Sequence, residues 1–388
     1  MNTARLSSWL LLGGIVSGFF GATWEGHRAS TYSKPAGFKR FHQRLSPDAS
    51  FYPPYAMLES LALARWHPGQ TLVILGGNSI MNGVGQPADV VWSDRLQELL
   101  GDSYVVVNLA FRSAFPAQGA ALVAESLLRR GLPVIYVANT YPLSGSGQAA
   151  GGPYGYLYWQ ARSQDKLADF PARDGQINRW LAALPASARA HQAEERLGAR
   201  LDAWLRPQSL WHHVGYRHFF TVWNSILARD FWVPRARCPD NEPPAAPLEQ
   251  RFTGSLPEEL AVVRSYTEGF VEPGPAGPWR LVEPIRQQLI ADLEAAFLPA
   301  LRPHVLILLD ESAAYYLARL TPLERERNHF AYHATAQFWR EHGIACEVTG
   351  EDFAPIDYID RMHLSSDGGR KLAQLVARRI TQLNSPLP

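Results

Sequence analysis

The sequence predicts an α/β protein built on a five-stranded parallel sheet. Four short apolar runs, 71–75, 104–110, 132–139 and 304–310, have the composition of buried strands, and 345–349 reads as a fifth strand. Between them lie segments of helical periodicity with explicit stop signals at Gly101, Gly131 and Gly343. Strands alternating with helices imply parallel pairing through right-handed crossovers. The rhythm breaks once, between 141 and 300, where the chain becomes rich in glycine, proline and aromatic residues.

The chain has 388 residues, of which 46% are hydrophobic, enough for a large core. The formal net charge of +1, from 37 basic and 36 acidic residues, gives no electrostatic reason to expect nucleic acid as a partner. Cys238 and Cys346 are too few for a disulfide framework and match no metal motif; Cys346 sits in an expected strand and reads as a packed thiol. Residues 6–24, LSSWLLLGGIVSGFFGATW, carry no charge, and a helix of this length just reaches across a bilayer core. Arg5 precedes the stretch as in a secretory signal, while no small-x-small cleavage site follows it. Residues 1–24 therefore read as a signal peptide or a membrane anchor, and the protein as exported, periplasmic or extracellular. The basic residues Arg28, Lys34, Lys39 and Arg40 follow the stretch and argue for the opposite orientation, which stays open.

Residues 25–66 form a polar, aromatic linker that packs onto the domain and ends in a short helix over 56–66. The first part of the core, 67–140, opens with TLVILGGNSIMNGVG at 71–85: a buried strand, a Gly76-Gly77 break, and a polar elbow where a helix begins. A helix is expected over 87–100 with Val91, Trp92, Leu96 and Leu99 on one face, and another over 117–130. The insertion, 141–300, carries expected helices near 187–206, 208–232 and 256–270, the last opened by a capping box of Ser255 and Glu258. Trp211 and Trp223 stand among several aromatics on the middle helix, which reads as the wall of an acyl or sugar pocket, a membrane contact, or an accessory core. His212, His213 and His218 share it without a third-ligand pattern or an adjacent carboxylate, so no metal site is assigned. The second part of the core, 301–388, follows a helix over 282–298. It holds the strand HVLILLD, a helix opened by the Thr321 to Glu324 capping box with Pro322 at its first position, a fifth strand, and a last helix from about 365 presenting Leu372, Val376, Ile380 and Leu383 to the sheet.

Ser79 follows the first strand at the carboxyl edge, where open α/β sheets place their ligands. The free amides of a helix start favour the negative charge that develops in acyl transfer. Asp360 precedes His363 by three residues on an expected turn, a spacing at which the carboxylate accepts the Nδ1 proton and turns Nε2 outward as a base. Together they supply nucleophile, orienter and base in the chain order Ser, Asp, His.

Four stretches resemble the SGNH, or GDSL-like, hydrolase superfamily of esterases and acyl-transferring enzymes. Gly77-Asn78-Ser79 looks like its first block, with Asn78 where the family usually has Asp. NLAFRS at 108–113 looks like the second, with Ser113 where the family has Gly. VANT at 137–140 looks like the third, with Val137 and Thr140 in place of Gly and Asp, and Asp360 to His363 followed by LSSDGGRKLA closely matches the fourth. The resemblance covers 68–140 and 303–385. It implies a flavodoxin-like α/β/α sandwich without metal or organic cofactor, Ser79, Asp360 and His363 as catalytic residues, and an oxyanion hole from Asn139 and the backbone amides of Ser79 and Ser113.

The reading is a serine hydrolase, an esterase or deacylase, acting on a small-molecule or glycan ester through a covalent acyl-enzyme. O-acyl transfer onto a cell-envelope glycan and a non-catalytic glycan-binding protein stand as alternatives. A nucleotide or flavin site is not expected, because GGNSIMNGVG is neither a Walker loop nor a dinucleotide fingerprint.

Overall fold

The structure, a computed structural model, describes residues 7–17, 38–40, 44–46, 49–50, 55–87, 90–112, 114–143, 157, 161, 256–274 and 279–384. The chain divides into two compact units, one of residues 1–65 with 156–236 and one of 66–155 with 237–388. In the first, residues 7–17 form an exposed helix, Arg44–Ser46 pairs antiparallel with Ala49–Ser50, and a helix spans Tyr55–Arg65. The remainder of the 6–24 stretch lies outside the described residues, among which no helix is long and apolar enough to cross a membrane. Cys238, Trp211, Trp223 and the histidines beside those tryptophans also lie outside them.

The second unit carries the expected sheet. Its elements are β1 (Thr71–Leu75), α1 (Ser79–Asn82), α2 (Trp92–Leu100), β2 (Tyr104–Asn108), α3 (Ala120–Arg129), β3 (Val134–Thr140), α4 (Leu256–Ser265), β4 (Val271–Glu272), β5 (Arg280–Leu281), α5 (Glu283–Ala296), β6 (Val305–Asp310), α6 (Ala314–Leu317), α7 (Pro322–Glu341), β7 (Ala345–Thr349) and α8 (Ser366–Asn384). The five long strands pair in parallel in the order β2-β1-β3-β6-β7, the flavodoxin-like arrangement with its switch point beside β1.

The runs of β1, β2, β3 and β6 are continuous because both faces of the sheet are covered there, while the edge strand β7 is only partly buried. Val73, Leu75, Val106, Ile135, Val137, Leu306 and Leu308 alternate along the strands and share one core with Trp92 and Leu96 of α2 and Leu372, Val376 and Ile380 of α8. The intervening residues face the other way. Tyr136 meets the Phe297 ring at 5.9 Å, and Phe297 meets Trp339 of α7 at 6.2 Å. Cys346, buried in β7, is a free thiol.

Several expected boundaries shift for local reasons. The helix expected over 87–100 begins at Trp92, whose amide is capped at 2.8 Å by the Gln86 side chain; its buried face steps from Trp92 to Leu96 to Leu100, leaving Leu99 52% exposed. The strand expected over 104–110 ends at Asn108, whose side chain accepts from the Ala110 amide and donates to Met81 O. The run expected over 132–139 is a strand over Val134–Thr140, which Pro133 joins only through its carbonyl, accepting from Leu72 N at 2.9 Å. The helix expected over 117–130 begins after Gly119, and those expected over 282–298 and 256–270 span Glu283–Ala296 and Leu256–Ser265, with Ser255 outside the described residues. The hairpin β4–β5 was hidden within a proline-rich joint. The Thr321 capping box forms as expected, with Glu324 accepting from the Thr321 amide at 2.8 Å.

Gly77 adopts φ +91°, and a Cβ there would run into the side-chain oxygen and backbone nitrogen of Asn139. Gly343, at the end of α7, has φ +79° with open space around it. Gly343→Ala therefore carries only the left-handed backbone cost of about 1–2 kcal/mol, and Gly77→Ala adds a steric clash to the same cost. Chemical denaturation should rank Gly77→Ala as the more damaging by at least about 1 kcal/mol; equal losses would contradict the close approach of β1 and β3.

Candidate active site

The site grows from the end of β1. After Gly77, Asn78 is extended and caps α1: its Oδ1 accepts from the Ile80 amide at 2.9 Å. Asn78 is joined to Asn139, near the end of β3, by a reciprocal pair of bonds. The Asn78 amide donates to Asn139 Oδ1 at 2.9 Å, and Asn139 Nδ2 donates to Asn78 Oδ1 at 2.8 Å. This sets Ser79 at the first position of α1, half-buried, with no acceptor for its amide among the described residues. From the other side the Gly77 carbonyl accepts from Phe111 N at 3.2 Å, and Asn82 donates to Ala110 O at 2.8 Å, so the loop after β2 is fastened to the elbow.

The partner of Ser79 arrives from the loop before α8. Asp360 Oδ1 accepts from the amides of Met362 at 2.9 Å and His363 at 2.8 Å, Ile359 N donates to His363 O at 2.9 Å, and Tyr358 bridges Leu364. The loop is closed on itself. Within it His363 Nδ1 lies 2.7 Å from Asp360 Oδ2, and His363 Nε2 lies 2.8 Å from Ser79 Oγ. Partial burial opposes ionisation of Asp360, but the bonds from the His363 ring and the two amides outweigh it and hold the carboxyl below its usual range. An ionised Asp360 can only accept, so Nδ1 carries the imidazole proton and Nε2 presents its lone pair to the Ser79 hydroxyl.

Of the residues singled out in the sequence, the structure brings Ser79, Asp360 and His363 into one hydrogen-bonded chain. Ser113, Trp211 and Trp223 lie outside the described residues. Asn139 departs from its expected role. Its side chain is completely buried, and Nδ2 donates to Asn78 Oδ1 and to Asp310 Oδ2, so both amide hydrogens are taken by the protein and the residue braces the elbow from below instead of turning toward an oxyanion.

Asp310, at the end of β6, escaped notice as a site residue because it reads as the last letter of an apolar strand. It is buried, accepts from Asn139 and from Thr349 Oγ1 at 2.9 Å, and desolvation pushes its carboxyl up to about 7 against those two bonds and the nearby His363. Glu311 beside it is likewise pushed up to about 7, by burial and by the charge of Glu351. A second missed feature supports the His363 loop. Arg361 pairs with Glu259 of α4 and gives its carbonyl to Ala313 N at 2.8 Å, while Tyr266, stacked on Tyr141 at 4.6 Å, donates to Met362 Sδ at 3.3 Å. The last part of the insertion thus holds the loop that carries Asp360 and His363.

No protein-family model and no curated protein matches the chain. Among solved structures it is similar to a carbohydrate acetylesterase from Sinorhizobium meliloti, at 10% identity and a TM-score of 0.30 over 81% of this chain and 99% of that one. It is also similar to an aryl esterase of M. smegmatis, at 12% identity, with the same TM-score and coverage.

Asp310 and Glu311 hold their protons more tightly folded than unfolded, so folding takes up protons between their ordinary values of 3.8 and 4.5 and about 7. Their unfavourable ionisation is absent below that window and weakens the fold as pH rises through it, by roughly 4 kcal/mol at most for Asp310. Urea denaturation from pH 4 to 7.5 should therefore show a smaller loss with rising pH in the Asp310→Asn, Glu311→Gln double variant than in the parent. An equal loss would show that neither carboxyl is held protonated.

Proposed function

We propose that the protein is an ester hydrolase of the SGNH type that works through a covalent acyl-enzyme. The observation that carries this reading is the chain from Asp360 through His363 to Ser79, with 2.7 Å and 2.8 Å links and the serine at a helix start. In the proposed reaction His363 Nε2 takes the Ser79 proton as Oγ attacks the acyl carbon. Asp360 orients the ring and offsets the imidazolium charge. The same proton passes to the leaving alcohol, and a water molecule deprotonated by His363 then releases the acid and restores Ser79.

Negative charge on the carbonyl oxygen is met by the Ser79 amide, which the α1 start leaves without an intrahelical partner. The amide of Ser113 is assigned beside it on the resemblance alone. Asn139 contributes indirectly, by holding Asn78 and so the direction of that amide. Export through the 6–24 stretch belongs to the same proposal.

Turnover of a short p-nitrophenyl ester tests the reading. Ser79→Ala and His363→Ala should each lower kcat by at least about 10³-fold, and the double variant should fall little further, because the members of such a chain act as one unit. Undiminished turnover in Ser79→Ala, with circular dichroism matching the parent, would remove the proposal.

A further inference from the structure

Away from Ser79, one face of α7 carries a group of residues that the ester chemistry does not use. His329 and His333 stand one helical turn apart, so their rings share a face and lie 4.1 Å apart between centroids. Glu351 meets them from the turn after β7, where Gly350 at φ +124° reverses the chain and Phe353 N closes the turn on Gly350 O at 3.0 Å. One nitrogen from each histidine and one Glu351 oxygen all lie within 4.8 Å of one another.

We propose that His329, His333 and Glu351 form a binding site for a divalent transition metal of the zinc class, which clamps α7 to the turn after β7. Two imidazoles and one carboxylate are the donor set of zinc sites that keep an open position. Ligands of a tetrahedral ion at about 2.0–2.1 Å stand about 3.3 Å from each other. Here His333 Nε2 is 2.7 Å and His329 Nδ1 is 3.7 Å from Glu351 Oε1, values that bracket that edge, so side-chain rotation without backbone movement makes room for the ion. The helical spacing of the histidines fixes two ligands before the metal arrives, which lowers the ordering cost of binding.

The electrostatics favour a cation. No lysine or arginine pairs with Glu351 among the described residues. Both histidines and Glu351 are solvent-accessible, with side-chain exposures of 61%, 39% and 50%, so the ion has an open path and the fold does not depend on it. Without metal, the same residues make a hydrogen bond between His333 and Glu351. Water completes the coordination, and nothing in the arrangement requires a reaction at the metal.

The test uses the full chain, freed of metal by chelation and titrated with Zn²⁺ by isothermal calorimetry and by thermal unfolding. The expected result is saturation at micromolar Zn²⁺ with a rise in Tm, and no response to Mg²⁺, which prefers oxygen ligands. His329→Ala and Glu351→Gln, measured separately, should each weaken this binding by about tenfold or more and reduce the Tm rise, while keeping the parent's Tm in chelator. Absence of saturable binding, or binding and Tm shifts unchanged in both variants, would overturn the proposal and leave only a His–Glu hydrogen bond at the surface.

Discussion

Two buried asparagines at the ends of neighbouring strands face each other and exchange hydrogen bonds, and the geometry of the elbow follows from that pair. Asn78 gives its backbone amide to Asn139 and receives the Asn139 side-chain amide in return, while its own oxygen caps α1. With both ends of this bridge inside the protein, breaking it would leave buried amides unpaired, at about 1–3 kcal/mol for each group stranded. The bridge draws β1 so close to β3 that only glycine fits at 77, and it sets Ser79 where the first free amide of the helix begins. A four-residue helix has little stability of its own. Its position comes from the asparagine pair, from the Trp92 indole that donates to Met81 O at 2.8 Å, and from the loop after β2.

The second half of the site depends on a different kind of constraint. Asp360 binds the backbone of its own turn with one oxygen and the His363 ring with the other, so the orientation of the imidazole is settled locally before any contact with Ser79. That turn is then anchored through Arg361 and Met362 to Ala313, after β6, and to Glu259 and Tyr266 of the late insertion. Both halves meet above Asp310, a carboxyl kept from ionising freely by burial and tied to Asn139 and Thr349.

The strands and the Asp360–His363 turn were legible in the sequence because each rests on a local rule, while Ser79 was legible from its place after the first strand together with the resemblance. Continuous β-branched runs mark strands covered on two faces, glycines mark helix ends, and an Asp three residues before a His on a turn brings carboxylate and imidazole together. What was not legible depends on contacts distant in sequence. That Asn139 spends both amide hydrogens inside the protein follows from Asp310, two positions beyond its register partner Leu308 on the neighbouring strand, which no spacing rule announces. The same holds for the Arg361–Glu259 pair and for the meeting of Glu351 with two histidines of α7. The onset of α2 differs for a similar reason: its cap is supplied by Gln86, from before Pro87, where the sequence pattern starts the helix.

The proposed reaction rests on His363 making Ser79 nucleophilic. The most direct measurement is covalent labelling with a fluorophosphonate, followed by mass spectrometry of the digested chain. The account predicts modification of Ser79 and of no other serine, fast in the parent and nearly abolished in His363→Ala, where the hydroxyl remains but loses its base. Labelling of Ser79 at the same rate in both proteins, or no labelling of it at all, would contradict the account.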